Sequence, residues 1–325
     1  MQAMISGEVL PISVLTGFLG SGKTTFLRRV LTAEAMRDTA IVINEFGAVG
    51  LDHLLVEASS DDVVQLGNGC LCCMVRQDLV GTLYGLLARR AAGDAPFRRV
   101  VIETSGLAEP APILYTLAAD ARLERALRLD TVVTVVDGIA GQATLERFGE
   151  ATAQVVVADR LLVSKTDLAP LSESLPRALA ALNPTAELAE ATDADAPSLL
   201  FRGADAPARA LWRRPFASAA HSHGIVTLAV ALRRPMSRLD FARALGGLAR
   251  ERGEDLLRVK GIVAFADRSG GPAAIHAVQH TLYPPDWLPD WPDDEHSSRL
   301  VFITRDIPQA DILARFAEGC PVVLG

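Results

Sequence analysis

Residues 17–24 read Gly-Phe-Leu-Gly-Ser-Gly-Lys-Thr, and the spacing G-x-x-x-x-G-K-[ST] is one that holds polyphosphate. The glycines let successive backbone N–H groups converge on one spot, and a helix starting there aims its positive end at the same spot. In such a loop the Lys23 ammonium reaches the β- and γ-phosphates and the Thr24 hydroxyl ligates Mg²⁺. Gly17, Gly20, Ser21, Gly22, Lys23, Thr24 and Thr25 are therefore the candidate phosphate contacts. The chemistry needs a buried strand before the loop and a helix after it. Ile12-Ser13-Val14-Leu15 is apolar, and Thr25-Phe26-Leu27-Arg28-Arg29-Val30-Leu31 has helical character. The expectation is a bound nucleoside triphosphate.

Three further constellations follow apolar runs. Glu103-Thr104-Ser105-Gly106 has a carboxylate suited to the Mg²⁺ shell, and Gly106 can offer its N–H to a γ-phosphate. Asp137 also ends an apolar run and is the rival for that carboxylate; the glycine beside Glu103 favours Glu103. Lys23, Glu103 and Gly106 make the candidate hydrolytic set. Ser164-Lys165-Thr166-Asp167 is similar to the guanine-reading N-K-x-D pattern, with Ser for Asn. A carboxylate at Asp167 accepts two hydrogen bonds from guanine, a donor pair adenine lacks, while the Lys165 stem lies along the base. The bare tetrapeptide also suits a helix N-cap. Asn44-Glu45-Phe46-Gly47 and Asp52 occupy the place of a switch segment, or else form an ordinary turn.

Cys70, Cys72 and Cys73 stand in Gly-Cys-Leu-Cys-Cys, and the fourth cysteine, Cys320, is isolated. Clustered thiolates bind Zn²⁺ and similar soft-seeking ions. In an extended strand Cys72 and Cys73 face opposite ways, so not all three need be ligands. The other reading is a buried strand with cysteine as a small hydrophobe. Glu45, His53, water or a partner are the options for a further ligand. His221 and His223 form an H-x-H pair in a stretch that reads as solvated linker.

These residues need a scaffold that brings loops together. Continuous β-branched runs at 39–43, 63–66, 99–102, 131–136 and 160–163 alternate with helical spacing, as at Arg76 to Ala92. Such runs suit strands covered on both faces of a mostly parallel α/β sheet, where ligands gather at the strands' carboxyl ends. From 193 to 223 the texture turns to Ala, Pro, Asp and Arg without a period. Beyond it lie strand signals at 224–232, 256–265, 272–280 and 299–304, and helix signals at 237–250 and 307–317. The division expected is an α/β nucleotide domain over 1–205, a linker over 206–223 and a smaller α+β domain over 224–325.

With 39 acidic and 32 basic residues the net charge is −7, which argues against nucleic acid as the main partner. Half the chain is apolar, enough for a sizeable core. No charged leader precedes Lys23 and no stretch approaches a membrane span, so a cytoplasmic protein is expected.

Taken in order, the phosphate loop, Asn44-Glu45-Phe46-Gly47, the C-x-C-C cluster, Glu103-Thr104-Ser105-Gly106 and Ser164-Lys165-Thr166-Asp167 resemble the CobW-like family of P-loop GTPases. Leu257-Arg258-Val259-Lys260-Gly261 resembles that family's carboxyl-terminal domain. The resemblance implies slow hydrolysis of GTP with Mg²⁺ and delivery of zinc or cobalt to a client metalloprotein, with a homodimer open. It implies Cys70, Cys72 and Cys73 as metal ligands with Glu45 as helper, Glu103 as hydrolytic machinery, and Lys165 and Asp167 as guanine readers. Two departures stand out: Ser164 in place of Asn, and the lack of the His-rich stretch many relatives carry.

Overall fold

The computed structural model describes residues 9–31, 33–44, 63–65, 71–75, 78–192, 196–201, 219–220 and 224–324. These fall into two compact units. The first takes in the described parts of 1–144, 158–172 and 188–205, and the second those of 145–157, 173–187 and 206–325. Two stretches within the first 205 residues thus pack with the later part of the chain.

The first unit opens with β1 (Leu10–Thr16) and α1 (Lys23–Leu31), then β2 (Thr39–Asn44), β3 (Val63–Gln65) and β4 (Leu71–Val75). There follow α2 (Leu79–Ala92), β5 (Arg99–Thr104), α3 (Ala111–Ala119), α4 (Leu123–Ala126), β6 (Leu127–Asp137) and α5 (Gly141–Arg147). In chain order α6 (Gly149–Val156) and α7 (Ser174–Leu182), which belong to the second unit, alternate with β7 (Arg160–Ser164), β8 (Glu187–Glu190) and α8 (Ala196–Leu199) of the first. The sheet runs β3-β4-β2-β5-β1-β6-β7-β8. The six strands from β4 to β7 are parallel, and β3 is antiparallel to β4 at the edge. The expectation of a mostly parallel α/β sheet is met, because β1, β5 and β7 are buried along nearly their whole length and leave no polar face for water. Phe26, Leu27, Val30 and Leu31 of α1 join Leu15, Ile41, Val101 and Val133 in one core cluster.

Local chemistry sets helix boundaries that periodicity left loose. The helix expected from Arg76 starts at Leu79, because the Asp78 side chain caps it by accepting the Gly81 N–H at 2.9 Å. It stops at Gly93, whose N–H returns to the Arg89 and Arg90 carbonyls.

The second unit holds an antiparallel sheet. Its strands are β9 (Ala219–Ala220), β10 (Ile225–Leu232), β11 (Arg258–Val263), β12 (Ala273–Val278), β13 (Thr281–Leu282), β14 (Asp286–Trp287), β15 (Ser298–Arg305) and β16 (Pro321–Val323). The main order is β13-β12-β11-β15-β10-β16, with β14 on β12 and β9 on β10. Helices α9 (Arg238–Arg252) and α10 (Gln309–Arg315) supply Phe241, Leu245, Leu248 and Ile312 to a core with Leu228, Val259 and Phe302. Val156 packs with Ile225, Ala229, Ile262 and Val301 in a separate cluster of this unit. Residues 283–292, rich in Pro and Trp, contain β14, where the Arg268 guanidinium lies 3.8 Å over the Trp287 ring. Among the described residues no helix is long and apolar enough to cross a membrane.

Candidate nucleotide site

The ends of β1, β5, β6 and β7 meet at one edge of the parallel sheet, and the loops leaving them are fitted together at backbone distance. Gly17 has φ of 144°. A Cβ there would stand 2.3 Å from the Val135 carbonyl oxygen, so any side chain would force the phosphate loop off β6. Gly106 meets the loop from the other flank, where a Cβ would lie 2.8 Å from the Leu19 backbone nitrogen. Its placement against the loop suits an N–H contribution to bound phosphate.

Inside the loop the Lys23 ammonium donates to the carbonyls of Gly17 at 2.8 Å and Phe18 at 3.3 Å, and the side chain is buried. Thr24 Oγ1 donates to Glu103 Oε1 at 2.9 Å. The two are 79 residues apart in sequence, and Glu103 is 3% exposed. A hydroxyl and a carboxylate in contact form a hard-oxygen pair of the kind Mg²⁺ takes beside phosphate. Behind them the hydroxyls of Thr104 and Thr16 are hydrogen-bonded at 2.8 Å, locking the ends of β5 and β1. Sequence reading did not single out this pair, although one register step beyond Leu15 and Glu103 leads to it.

Ser164 ends β7. Its hydroxyl donates to the Ser21 carbonyl at 2.6 Å and contacts the Val136 carbonyl at 3.2 Å. This serine therefore ties the turn after β7 to the phosphate loop. Lys165 Nζ donates to Asp137 Oδ2 at 2.5 Å. Burial pushes the Asp137 carboxyl up, but Lys165 and the N–H groups of Ala140 and Ile139 outweigh it and hold the group below its ordinary value. Of the two carboxylates weighed for the Mg²⁺ shell, Glu103 contacts Thr24 and Asp137 is engaged by Lys165. Thr166 Oγ1 donates to Glu190 Oε2 at 2.8 Å, and Asp167 and Thr25 are exposed. Gly20, Ser21 and Gly22 complete the loop between β1 and α1, with Ser21 buried.

The cysteine positions are placed in part. Cys72 and Cys73 are consecutive residues of β4, in register with Ile41 and Val42 of β2. On its other side β2 pairs with β5, so that Val42 matches Ile102 and Asn44 matches Thr104. Two steps of about 4.8 Å put the backbone of β4 about 10 Å from that of β5. Cys70, Glu45, Phe46, Gly47, Asp52, His53, His221 and His223 lie outside the described residues. Cys320 is a free, partly buried thiol in the second unit.

Comparison with known proteins matches this arrangement along nearly the whole chain. Residues 11–190 match the CobW/HypB/UreG nucleotide-binding domain, and residues 225–320 match the cobalamin synthesis protein cobW C-terminal domain. The zinc chaperone YjiA of Escherichia coli (strain K12) is 34% identical over 313 residues, covering 95% of this chain and 98% of that one. The zinc-regulated GTPase metalloprotein activator 1 of Dictyostelium discoideum is 37% identical over 148 residues, 40% of this chain and 30% of that one. The crystal structure of Zn(II)-bound YjiA GTPase from E. coli superposes with a TM-score of 0.76 at 30% identity, covering 96% of this chain and 99% of that one. A two-part match in this order, over a phosphate loop braced by Glu103, Gly106 and Ser164, places the chain in the CobW/HypB/UreG family, with a cobW C-terminal domain following its nucleotide-binding domain.

Proposed function

We propose that this chain hydrolyses GTP and uses the cycle to hand zinc to a client metalloprotein in the cytoplasm. The observation that carries the nucleotide half is the Thr24–Glu103 contact next to a buried Lys23. Gly17, Gly20, Ser21, Gly22, Lys23, Thr24 and Thr25 bind the phosphates, and Thr24 and Glu103 would hold Mg²⁺. When bound, Mg²⁺ neutralises charge that develops on the phosphate oxygens. Lys23 stabilises the same charge, Gly106 directs its N–H to the γ-phosphate, and Glu103 helps orient the attacking water. Lys165 and Asp167 select guanine. Hydrolysis is slow until a partner completes the site.

The metal half rests on the names of the relatives and on β2. That strand pairs with the cysteine-bearing β4 on one side and with the Glu103-bearing β5 on the other. The chain leaving β2 at Asn44 is the segment carrying Glu45. A change at the nucleotide thus has a short route, one strand wide, to the strand carrying Cys72 and Cys73. Thiolates suit zinc and admit cobalt. A second reading keeps the GTPase but makes the cysteines structural, so that the protein gates a client's cofactor loading by contact alone. It draws on Cys72 and Cys73 lying in a regular strand.

Linkage separates the two. If nucleotide and metal sites are coupled, Mg²⁺-GTP tightens zinc binding and zinc tightens GTP binding by the same factor, about tenfold or more. Titrating zinc and cobalt into the full chain with GTP, GDP and no nucleotide measures it. An affinity indifferent to nucleotide, or client activation that survives Cys72→Ser with Cys73→Ser, selects the second reading.

A further inference from the structure

The turns after β6 and β7 are zipped together. The Gly138 N–H donates to the Ser164 carbonyl at 2.9 Å, and a Cβ on Gly138 would stand 2.5 Å from that oxygen. This approach sets Asp137 beside Lys165. Lys165 adopts a left-handed backbone with φ of 59°, uncommon for a residue with a side chain. Asp137 is held from behind: its Oδ1 accepts the Ile139 N–H at 2.8 Å and the Ala140 N–H at 3.0 Å. Its Oδ2 is left to take the Lys165 ammonium at 2.5 Å. The Asp137 side chain is 15% exposed and that of Lys165 33%, so the pair is shielded but open on one side. Ile139 and Leu168, in the same two turns, are large apolar residues left exposed.

We propose that Asp137 is a positioning residue for guanine binding: it holds Lys165 extended so that the aliphatic stem is a preformed wall for the base beside Asp167. A lysine stem otherwise samples many rotamers, and fixing it in advance removes an ordering cost from binding. Asp137 touches no phosphate in this scheme and acts only through Lys165. The proposal rests on reading residues 164–167 as the base-reading turn.

The test is a thermodynamic cycle on the full chain, with calorimetric binding of Mg²⁺-GTP, Mg²⁺-ATP and inorganic tripolyphosphate. Asp137→Ala weakens GTP by about three- to tenfold and leaves tripolyphosphate within about twofold. In a Lys165→Met background, which keeps a stem and removes the ammonium, Asp137→Ala adds no further loss. Asp137→Asn keeps an acceptor for the two turn N–H groups and falls between wild type and alanine. Unchanged GTP affinity in Asp137→Ala overturns the proposal. So does an equal loss for tripolyphosphate, or a full additional loss on Lys165→Met, since each means the carboxylate acts on the turn and not through the lysine. If wild type binds ATP as tightly as GTP, the guanine reading itself fails, whatever Asp137 does.

Discussion

The two sheets place their buried polar residues differently. In the parallel sheet Thr16, Thr104 and Ser164 are the last residues of their strands and Glu103 is next to last. Their hydrogen bonds join positions 79, 88 and 143 residues apart. In the antiparallel sheet the buried polar residues are spread over several strands: Arg258, at the start of β11, donates to the Val157 carbonyl 101 residues away, while in β15 the Arg299 Nη1 reaches the Glu295 carbonyl at 3.0 Å and its Nη2 the Asp293 carboxylate, four and six residues away. Each of those bonds fixes one strand to a single neighbouring segment. Convergence of distant residues on a single edge adds little that a packed apolar core would not supply, so a ligand is its better explanation. The contrast separates a site from a scaffold with no reference to relatives.

Substitutions on the two sides should therefore fail differently. Lys23→Ala is expected to have the largest effect, a fall in GTP turnover of about 10²- to 10³-fold, since it removes a charge aimed at the phosphates. Steady-state phosphate release measures it, and turnover within tenfold of wild type would place the chemistry elsewhere. Arg299→Met should spare GTP affinity and cost about 1–3 kcal/mol of stability, because it strips the Asp293 carboxylate of its partner. Denaturant unfolding reads this out. The hydrogen bond from Arg299 holds the Asp293 carboxyl below its ordinary value despite some burial. A carboxyl depressed in the folded state contributes stability above its unfolded pKa of about 3.9, lost as pH falls through the folded value. The wild type should lose more stability than Arg299→Met below about pH 4. Equal acid sensitivity would mean the ion pair contributes nothing.

Much of the candidate site's layout was legible because several of its residues sit at strand ends, where an apolar run stops and a polar residue follows. Lys23 and Thr24 were named from the phosphate-loop spacing, Glu103 and Gly106 from their place after an apolar run, and Ser164 from its place in a tetrapeptide similar to N-K-x-D. The bonds among them were not, since Thr24–Glu103 and Ser164–Ser21 depend on the order β5-β1-β6-β7, a long-range fact that no local window holds. Asp137 shows the same limit: its type and place suited a metal-side carboxylate, and the neighbouring Lys165 claims it. In the second unit the alternation of strands and helices was read correctly, while the two-residue strands β13 and β14 were invisible because pairing, not propensity, makes them. That segments 145–157 and 173–187 pack with the later unit also escaped a boundary drawn on composition.

The smallest expected effect sharpens the comparison most. Ser164→Ala removes one hydroxyl that holds the Ser21 carbonyl, and nothing that touches a ligand directly. If the parallel sheet's edge is built for nucleotide, losing this tie should loosen the phosphate loop and weaken GTP by about fivefold, the equivalent of ~1 kcal/mol. Tripolyphosphate should weaken with it, because the tie ends on the loop itself and not on the base side, which distinguishes Ser164 from Asp137. Equilibrium unfolding without nucleotide should move by the same ~1 kcal/mol or less. Were unfolding to shift by several times that amount while GTP affinity held, Ser164 would belong with Arg299 among the scaffold residues, and the convergence of hydrogen-bonded strand ends on one edge would lose its value as a mark of the site.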